Sequence, residues 1–301
     1  MSFADRLSEA VRERQSQVVI GLDPDPGRLI PAAHAAAGDG SPAERSARAV
    51  TAHCAMMVEA AGTACVAVKL QSACFERLGA PGWSALSSCV DLARDAGLLA
   101  IVDAKRGDVP HTATAYAQAL VGGTETPWGE VRGLEADAVT ASPLLGRDSL
   151  APIIAAAHSA NAGVFVLVRT SNPGASEIQD VTHGVGESPL HERLARIVDA
   201  LGSGTVGSSG LSDVGAVVAA TQPDLLERLR RDMPSAILLM PGVGAQGGDV
   251  ADLAAAFAPG RAAGLIAVSR SIVDPAIESG DVSRARDAAE RLREQVWELS
   301  G

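Results

Sequence analysis

Apolar positions along the chain gather into eight short runs: Val18–Leu22, Cys65–Leu70, Leu98–Ala104, Asp137–Ala141, Gly163–Arg169, Val214–Ala219, Ala236–Met240 and Gly264–Ser269. Each is nearly continuous in apolar residues, the pattern of a strand buried on both faces. Helical spacing fills most of the gaps. Trp83, Leu86, Val90 and Ala93 recur at helical intervals. Pro223 suits the first turn of a helix running through Leu225, Leu226 and Leu229. Ser283 is placed to cap a last helix carrying Ala285, Ala289, Leu292 and Val296. Strands alternating with helices predict a parallel sheet, and eight such units predict its closure into a (β/α)8 TIM barrel. An open doubly wound sheet is the structural alternative. Its dinucleotide-binding version is disfavoured because no G-x-G-x-x-G follows the first strand.

The 301 residues fit one such barrel domain over 1–301, with no dividing linker. Two loops stand out. Residues 121–135 are Gly-rich and polar and read as a surface insertion. Residues 170–189 follow the fifth strand and read as a lid at the barrel mouth. A hydrophobic fraction of 47% supplies a large core, yet no apolar run is long enough to span a bilayer. The net charge of −11 argues against a nucleic-acid or anionic-membrane surface, but leaves room for one small phosphate held locally. Met1 to Arg14 is charged and amphipathic, without the apolar stretch of a secretory signal. Cys54, Cys65, Cys74 and Cys89 show no C-x-x-C spacing and read as reduced, buried thiols of a cytoplasmic protein. The six histidines show no metal-ligand spacing, so a protein-built metal site is not expected.

Chemistry in such a barrel sits at the C-terminal ends of its strands. Asp103 and Lys105, two apart at the end of the third strand, point to one side, and Asp108 follows after Gly107. Lys69, at the neighbouring strand end, can join them in an alternating array of ammonium and carboxylate groups. Flanking carboxylates keep Lys105 charged, which suits a proton donor better than a Schiff-base nucleophile. A structural ion-pair network at the rim is the other reading of the same residues. The run Pro241–Gly248 leads toward a helix, and its glycines let backbone N–H groups approach an anion. Gln246 can add an amide donor, and Arg270 at the next strand end a fork-shaped cation. Asp23, between a strand end and Pro24, reads equally as turn chemistry or as an acceptor for sugar hydroxyls. Ser171 reads equally as a loop residue or as a reader of a polar heterocycle.

The segment Asp103-Ala-Lys105-Arg-Gly-Asp108-Val-Pro-His-Thr112 resembles the D-x-K-x-x-D-I-x-x-T signature of the orotidine 5′-phosphate decarboxylases. Gly21-Leu-Asp23-Pro, Val68-Lys69-Leu-Gln71, the Pro241–Gly248 run and Ser269-Arg270-Ser271 resemble its other blocks. The chain length and Lys69-Leu-Gln-Ser-Ala-Cys-Phe75-Glu76 are similar to the longer, mycobacterial-type (type 2) branch. Val109 stands for the usual Ile, and Thr140-Ala-Ser-Pro143-Leu144 differs from the family's T-V-N-P-Y.

The resemblance implies decarboxylation of orotidine 5′-phosphate to UMP and CO2, the last step of de novo UMP synthesis, without metal or organic cofactor. It implies that Asp103 faces the substrate carboxylate, Lys105 protonates C6, Lys69 orients Asp103 and the ribose, and Asp23 binds ribose hydroxyls. Ser171 would read the pyrimidine, while Gln246 and Arg270 would hold the phosphate, with Pro241 also binding substrate. Asp108 and Thr112 would reach into the site of a second subunit, so a homodimer with shared active sites is expected. The rivals are a Mg-dependent sugar-phosphate lyase of the same barrel superfamily and a non-catalytic barrel that binds a nucleotide.

Overall fold

The computed structural model describes residues 1–301 apart from His183, Val185, Ala245 and Gln246. The barrel strands are β1 (Val18–Leu22), β2 (Ala67–Gln71), β3 (Leu99–Arg106), β4 (Ala138–Ala141), β5 (Gly163–Arg169), β6 (Ser212–Val218), β7 (Ala236–Pro241) and β8 (Gly264–Val268). All eight expected strands are present, with ends displaced by no more than about two residues, the usual latitude in placing element ends. They pair in parallel and in sequence order, and β8 closes onto β1 through Val18↔Ile266 and Ile20↔Val268. The chain is a closed (β/α)8 barrel.

Both faces of each strand are apolar because each meets a different core. Val18, Ile20 and Leu22 of β1 pack outward against the helices, while Val19 points into the barrel. The same alternation puts Ala67, Ile101, Ala138, Phe165, Ile237 and Leu265 inside. The N-terminal helix Phe3–Arg14 closes the floor with Phe3, Leu7 and Val11. The Phe3 ring meets Phe165 edge to face, with centroids 5.9 Å apart. Gly163 makes room for it, since a Cβ there would lie 2.3 Å from the Phe3 ring. The Ala4 N–H donates to Asp213 Oδ1 at 2.8 Å, tying the same helix to β6.

Several local expectations are corrected. In the helix Ala80–Asp95, Leu86, Val90 and Ala93 are buried, but Trp83 is 37% exposed and lies in a groove against residues 131–134. Ser283 begins the last helix, Ser283–Leu299, and does not cap it. Asp281 takes that role, accepting from the Ser283 N–H at 2.9 Å and its hydroxyl at 2.8 Å, because a carboxylate two residues upstream reaches the free N–H better. Between β7 and β8 the described residues form no α-helix; the chain forms the 3-10 segment Val250–Phe257, with Asp249 accepting from Ala251 N–H. Residues 123–132 fold into an antiparallel hairpin outside the barrel sheet, turning through Pro127 and Trp128 into Gly129, whose φ is +114°. Trp128 at its tip is 93% exposed.

Buried Arg230 has no carboxylate partner among the described residues. It donates to the carbonyls of Met233, Ala236, Ala256 and Ala263, tying the 3-10 segment to β7, and burial pushes it down to about 10. The floor is the simplest part of the fold to test. Phe3→Ala opens a cavity under Phe165 and is expected to cost about 3–5 kcal/mol. Equilibrium denaturation followed by circular dichroism measures it, and a loss under about 1 kcal/mol would mean the helix does not seal the barrel.

Candidate active site

The inward side chains of the last strand layers line a cavity of about 530 Å³ at the C-terminal mouth. Their parity follows from the core: Ala67 points inward, so Lys69 and Gln71 do too, and Ile101 likewise brings Asp103 and Lys105. The mouth therefore has two halves. β1 to β4 contribute Gly21, Lys69, Gln71, Asp103, Lys105 and Thr140, and β5 to β8 contribute Leu167, Val217, Leu239 and Ala267.

In the polar half, Asp103 Oδ2 accepts from Lys69 Nζ at 2.9 Å and Oδ1 from Lys105 Nζ at 2.6 Å. Thr140 Oγ1 donates to the same Oδ1 at 2.7 Å. Burial by itself pushes the Asp103 carboxyl up, but the two ammonium groups outweigh it and bring it down to about 2, so Asp103 is ionised at neutral pH. Burial likewise disfavours the Lys69 charge, yet Asp103 and Asp23 hold it above the ordinary lysine value. Asp23 Oδ1 stands 3.6 Å from Lys69 Nζ. The array runs Asp23, Lys69, Asp103, Lys105.

Its second carboxylate is thus Asp23 and not Asp108, which corrects the composition expected of the array. Asp108 accepts from the Val109 N–H at 2.8 Å, and neither it nor Thr112 lines the cavity of the single chain. The chain has already turned away from the mouth at Gly107, packed beside Ser142.

The opposite rim carries the candidate anion site. Pro241, Gly242, Val243, Ser269, Arg270 and Ser271 line the cavity there. Gly242, Gly244 and Gly247 have positive φ, and the loop folds back through Gly248 N–H to Gly242 O and Gly244 N–H to Gly248 O. The helix start at this rim is that of Arg270–Ser279, directly after β8, and not one following the glycine run, which enters the 3-10 segment instead. The first N–H groups of a helix have no partner within it and favour negative charge. Arg270 is exposed and has no ion-pair partner among the described residues. Gln246 lies outside the described residues.

Ser171 lines the cavity from the loop after β5, together with Thr170, Asn172 and Gln179. Arg169 grips Asp180 through two bonds of 2.9 and 3.0 Å, and Gln179 Oε1 accepts from the Thr170 N–H at 2.8 Å. Both hold the short helix Ala175–Gln179 near the mouth. Sequence reasoning missed Thr140, Gln71 and Gln179 as site residues. The inward parity of β2 and β4 points to the first two; Gln179 arrives through the fold of a loop and carries no such signal.

The Orotidine 5′-phosphate decarboxylase / HUMPS family model matches residues 16–285. The chain is 39% identical over 276 residues to the orotidine 5′-phosphate decarboxylase of Rhodopirellula baltica, covering 91% of this chain and 88% of that one. Among solved structures it resembles a putative orotidine 5′-phosphate decarboxylase from Streptomyces avermitilis, with a TM-score of 0.78, 33% identity, and 99% and 96% of the two chains covered. It also resembles Leishmania donovani UMP synthase, with a TM-score of 0.74 and 32% identity, over 98% of this chain but 56% of that longer one. The matched stretch takes in every barrel strand and the whole polar array, and the chain belongs to the orotidine 5′-phosphate decarboxylase / HUMPS family.

Proposed function

We propose that the chain decarboxylates orotidine 5′-phosphate to UMP and CO2, completing pyrimidine nucleotide synthesis, with the polar half of the mouth as reaction centre and the Arg270 rim as phosphate site. The observation that carries this is an ionised Asp103 held between two ammonium groups in the same cavity as Arg270. With the phosphate on Arg270 and the pyrimidine laid toward β3, the substrate carboxylate faces Asp103. The C6–carboxylate bond breaks, CO2 leaves, and its electron pair stays at C6 beside the Lys105 ammonium. That ammonium stabilises the developing charge and then delivers its proton to C6, so the chemistry asks nothing of a metal or organic cofactor. Lys69 keeps Asp103 in place and, with Asp23, is set toward the ribose hydroxyls. Ser171 is placed to read the pyrimidine from loop 170–189, which we read as a lid whose closure draws on phosphate binding.

The segment Lys69–Glu76 and the chain length support placement in the mycobacterial-type (type 2) branch. The four free thiols fit a cytoplasmic enzyme, and no helix among the described residues is long and apolar enough to cross a membrane. We read the chain as one barrel domain carrying the 121–135 insertion, and as a homodimer in which Asp108 and Thr112 complete the partner's site. Following orotidine 5′-phosphate absorbance with purified protein in excess EDTA tests the activity. Turnover abolished by EDTA would favour a Mg-dependent lyase, and UMP binding without turnover a non-catalytic barrel.

Three variants test the assignments. Lys105→Ala is expected to lower kcat by at least about 10²-fold while UMP affinity, measured calorimetrically, stays within a few fold; retention of a tenth of kcat would remove Lys105 as the dominant acid. Arg270→Ala is expected to lower kcat/KM for orotidine 5′-phosphate roughly 10- to 100-fold more than for orotidine. Equal losses on both would take Arg270 off the phosphate. Mixing Lys105→Ala with Asp108→Ala under subunit exchange gives about half heterodimers, each with one intact site, so about a quarter of wild-type activity should return. No recovery despite exchange confirmed by native mass spectrometry would place Asp108 within its own chain's site.

A further inference from the structure

Among the described residues four non-glycines have positive φ: Gln15, Lys105, Glu135 and Asn161. Of these, Lys105, at φ +49°, is the one inside a strand. An L-residue with a long side chain stays there only when its surroundings force it. The strand pairing shows the force. Val102 pairs with Val139 and Arg106 with Ala141, so three residues, Asp103 to Lys105, stand opposite the single residue Thr140. The bulge turns Lys105 back so that its ammonium reaches Asp103, two residues before it.

We propose that Thr140 is a positioning residue for the reaction, its one hydroxyl fixing both the Lys105 backbone and the Asp103 carboxylate. The side chain is buried, 1% exposed, and Oγ1 accepts from the Lys105 N–H at 2.9 Å while donating to Asp103 Oδ1 at 2.7 Å. The polarity is unambiguous. A backbone N–H can only donate and an ionised carboxylate only accept, so the single hydroxyl proton goes to Asp103.

On its far side the bulge is held independently. The Arg106 guanidinium pairs with Glu76, donates to Ala104 O at 3.2 Å and stacks over Tyr116; Glu76 also accepts from Ser72 Oγ at 2.6 Å. The Ser142 N–H closes the pairing on Arg106 O at 2.8 Å. With that flank fixed, Thr140 ties the Lys105 backbone to the Asp103 carboxylate, while Gln71 Oε1 makes only a long contact of 3.5 Å with the Lys105 ammonium. A methyl in place of the hydroxyl strands the Lys105 N–H and removes one of three donors to Asp103. The ammonium can then leave the line toward C6 while the phosphate rim, across the cavity, is untouched.

This inference rests on Lys105 being the proton donor, so Lys105→Ala belongs in the same series. Thr140→Val, which keeps shape and loses the hydroxyl, is expected to lower kcat about 10- to 100-fold, the range for losing a hydrogen bond to a charged group. KM for orotidine 5′-phosphate and UMP affinity should stay within about threefold, and Thr140→Ser should restore kcat to within about threefold of wild type. Should Thr140→Val not fold, Thr140→Cys, with a weak thiol donor of similar size, carries the same comparison. A near-wild-type kcat in Thr140→Val, a fall in UMP affinity matching the fall in kcat, or a Thr140→Ser variant as slow as Thr140→Val would each overturn the inference. If Lys105→Ala is inactive and Thr140→Val is not impaired, the positioning role alone fails. If Lys105→Ala turns over normally, the proton-donor reading fails first.

Discussion

The Asp103 carboxylate is the constraint on which the rest of the mouth depends. A charge buried at a strand end is costly unless it is paired and its lone pairs are filled, and here three donors from three strands fill them. Each donor is itself fixed by the need to satisfy Asp103. Lys69 is held charged in spite of burial, Lys105 adopts a left-handed backbone, and Thr140 spends its one proton on the carboxylate. Removing either lysine leaves the carboxylate under-compensated in a buried site, so stability and chemistry are coupled at this point more tightly than elsewhere in the barrel.

The barrel was legible because its physics is local and repetitive. A strand buried on both faces leaves an unbroken apolar run, and eight such runs separated by helical spacing admit few architectures. The polar array was legible for a similar reason, since parity along β2 and β3 sends Lys69, Asp103 and Lys105 to the same cavity. What parity cannot give is register between strands. The three-against-one bulge facing Thr140 depends on how β3 and β4 slide against each other, and nothing in Thr140-Ala-Ser-Pro encodes that slide by spacing alone. The substitution of Asp23 for Asp108 in the array has the same origin: both carboxylates lie near strand ends, and only the turn at Gly107 decides which faces inward. Asp281 displaced Ser283 as a cap because two good capping residues stood two positions apart and geometry chose between them.

The mouth divides its work between two sectors. Strands β1 to β4 bring charge and β5 to β8 bring apolar walls, with the Arg270 cation and a helix start at the rim beyond. The division suits a ligand that presents an apolar ring face to one side and anionic groups to the other. The low-polarity wall also strengthens every electrostatic interaction across the cavity. The Arg169–Asp180 clamp adds a third sector, fixing the root of loop 170–189 while Val181, Thr182, Gly184, Gly186 and Glu187 lie exposed.

The floor helix has a consequence for how the chain comes together. Its apolar face is made well before its partners, since Phe165 and Asp213 appear far later and Ala4 waits 209 residues for its hydrogen bond. β1 likewise remains without one of its two neighbours until β8 emerges. Until then Phe3, Leu7 and Val11 have no barrel to enter, and pairings this distant in sequence are slow to form because loop closure precedes any reward. The nascent protein must therefore carry a sticky amphipathic segment while most of the barrel is still to be made, and barrel closure and floor sealing become late events of assembly.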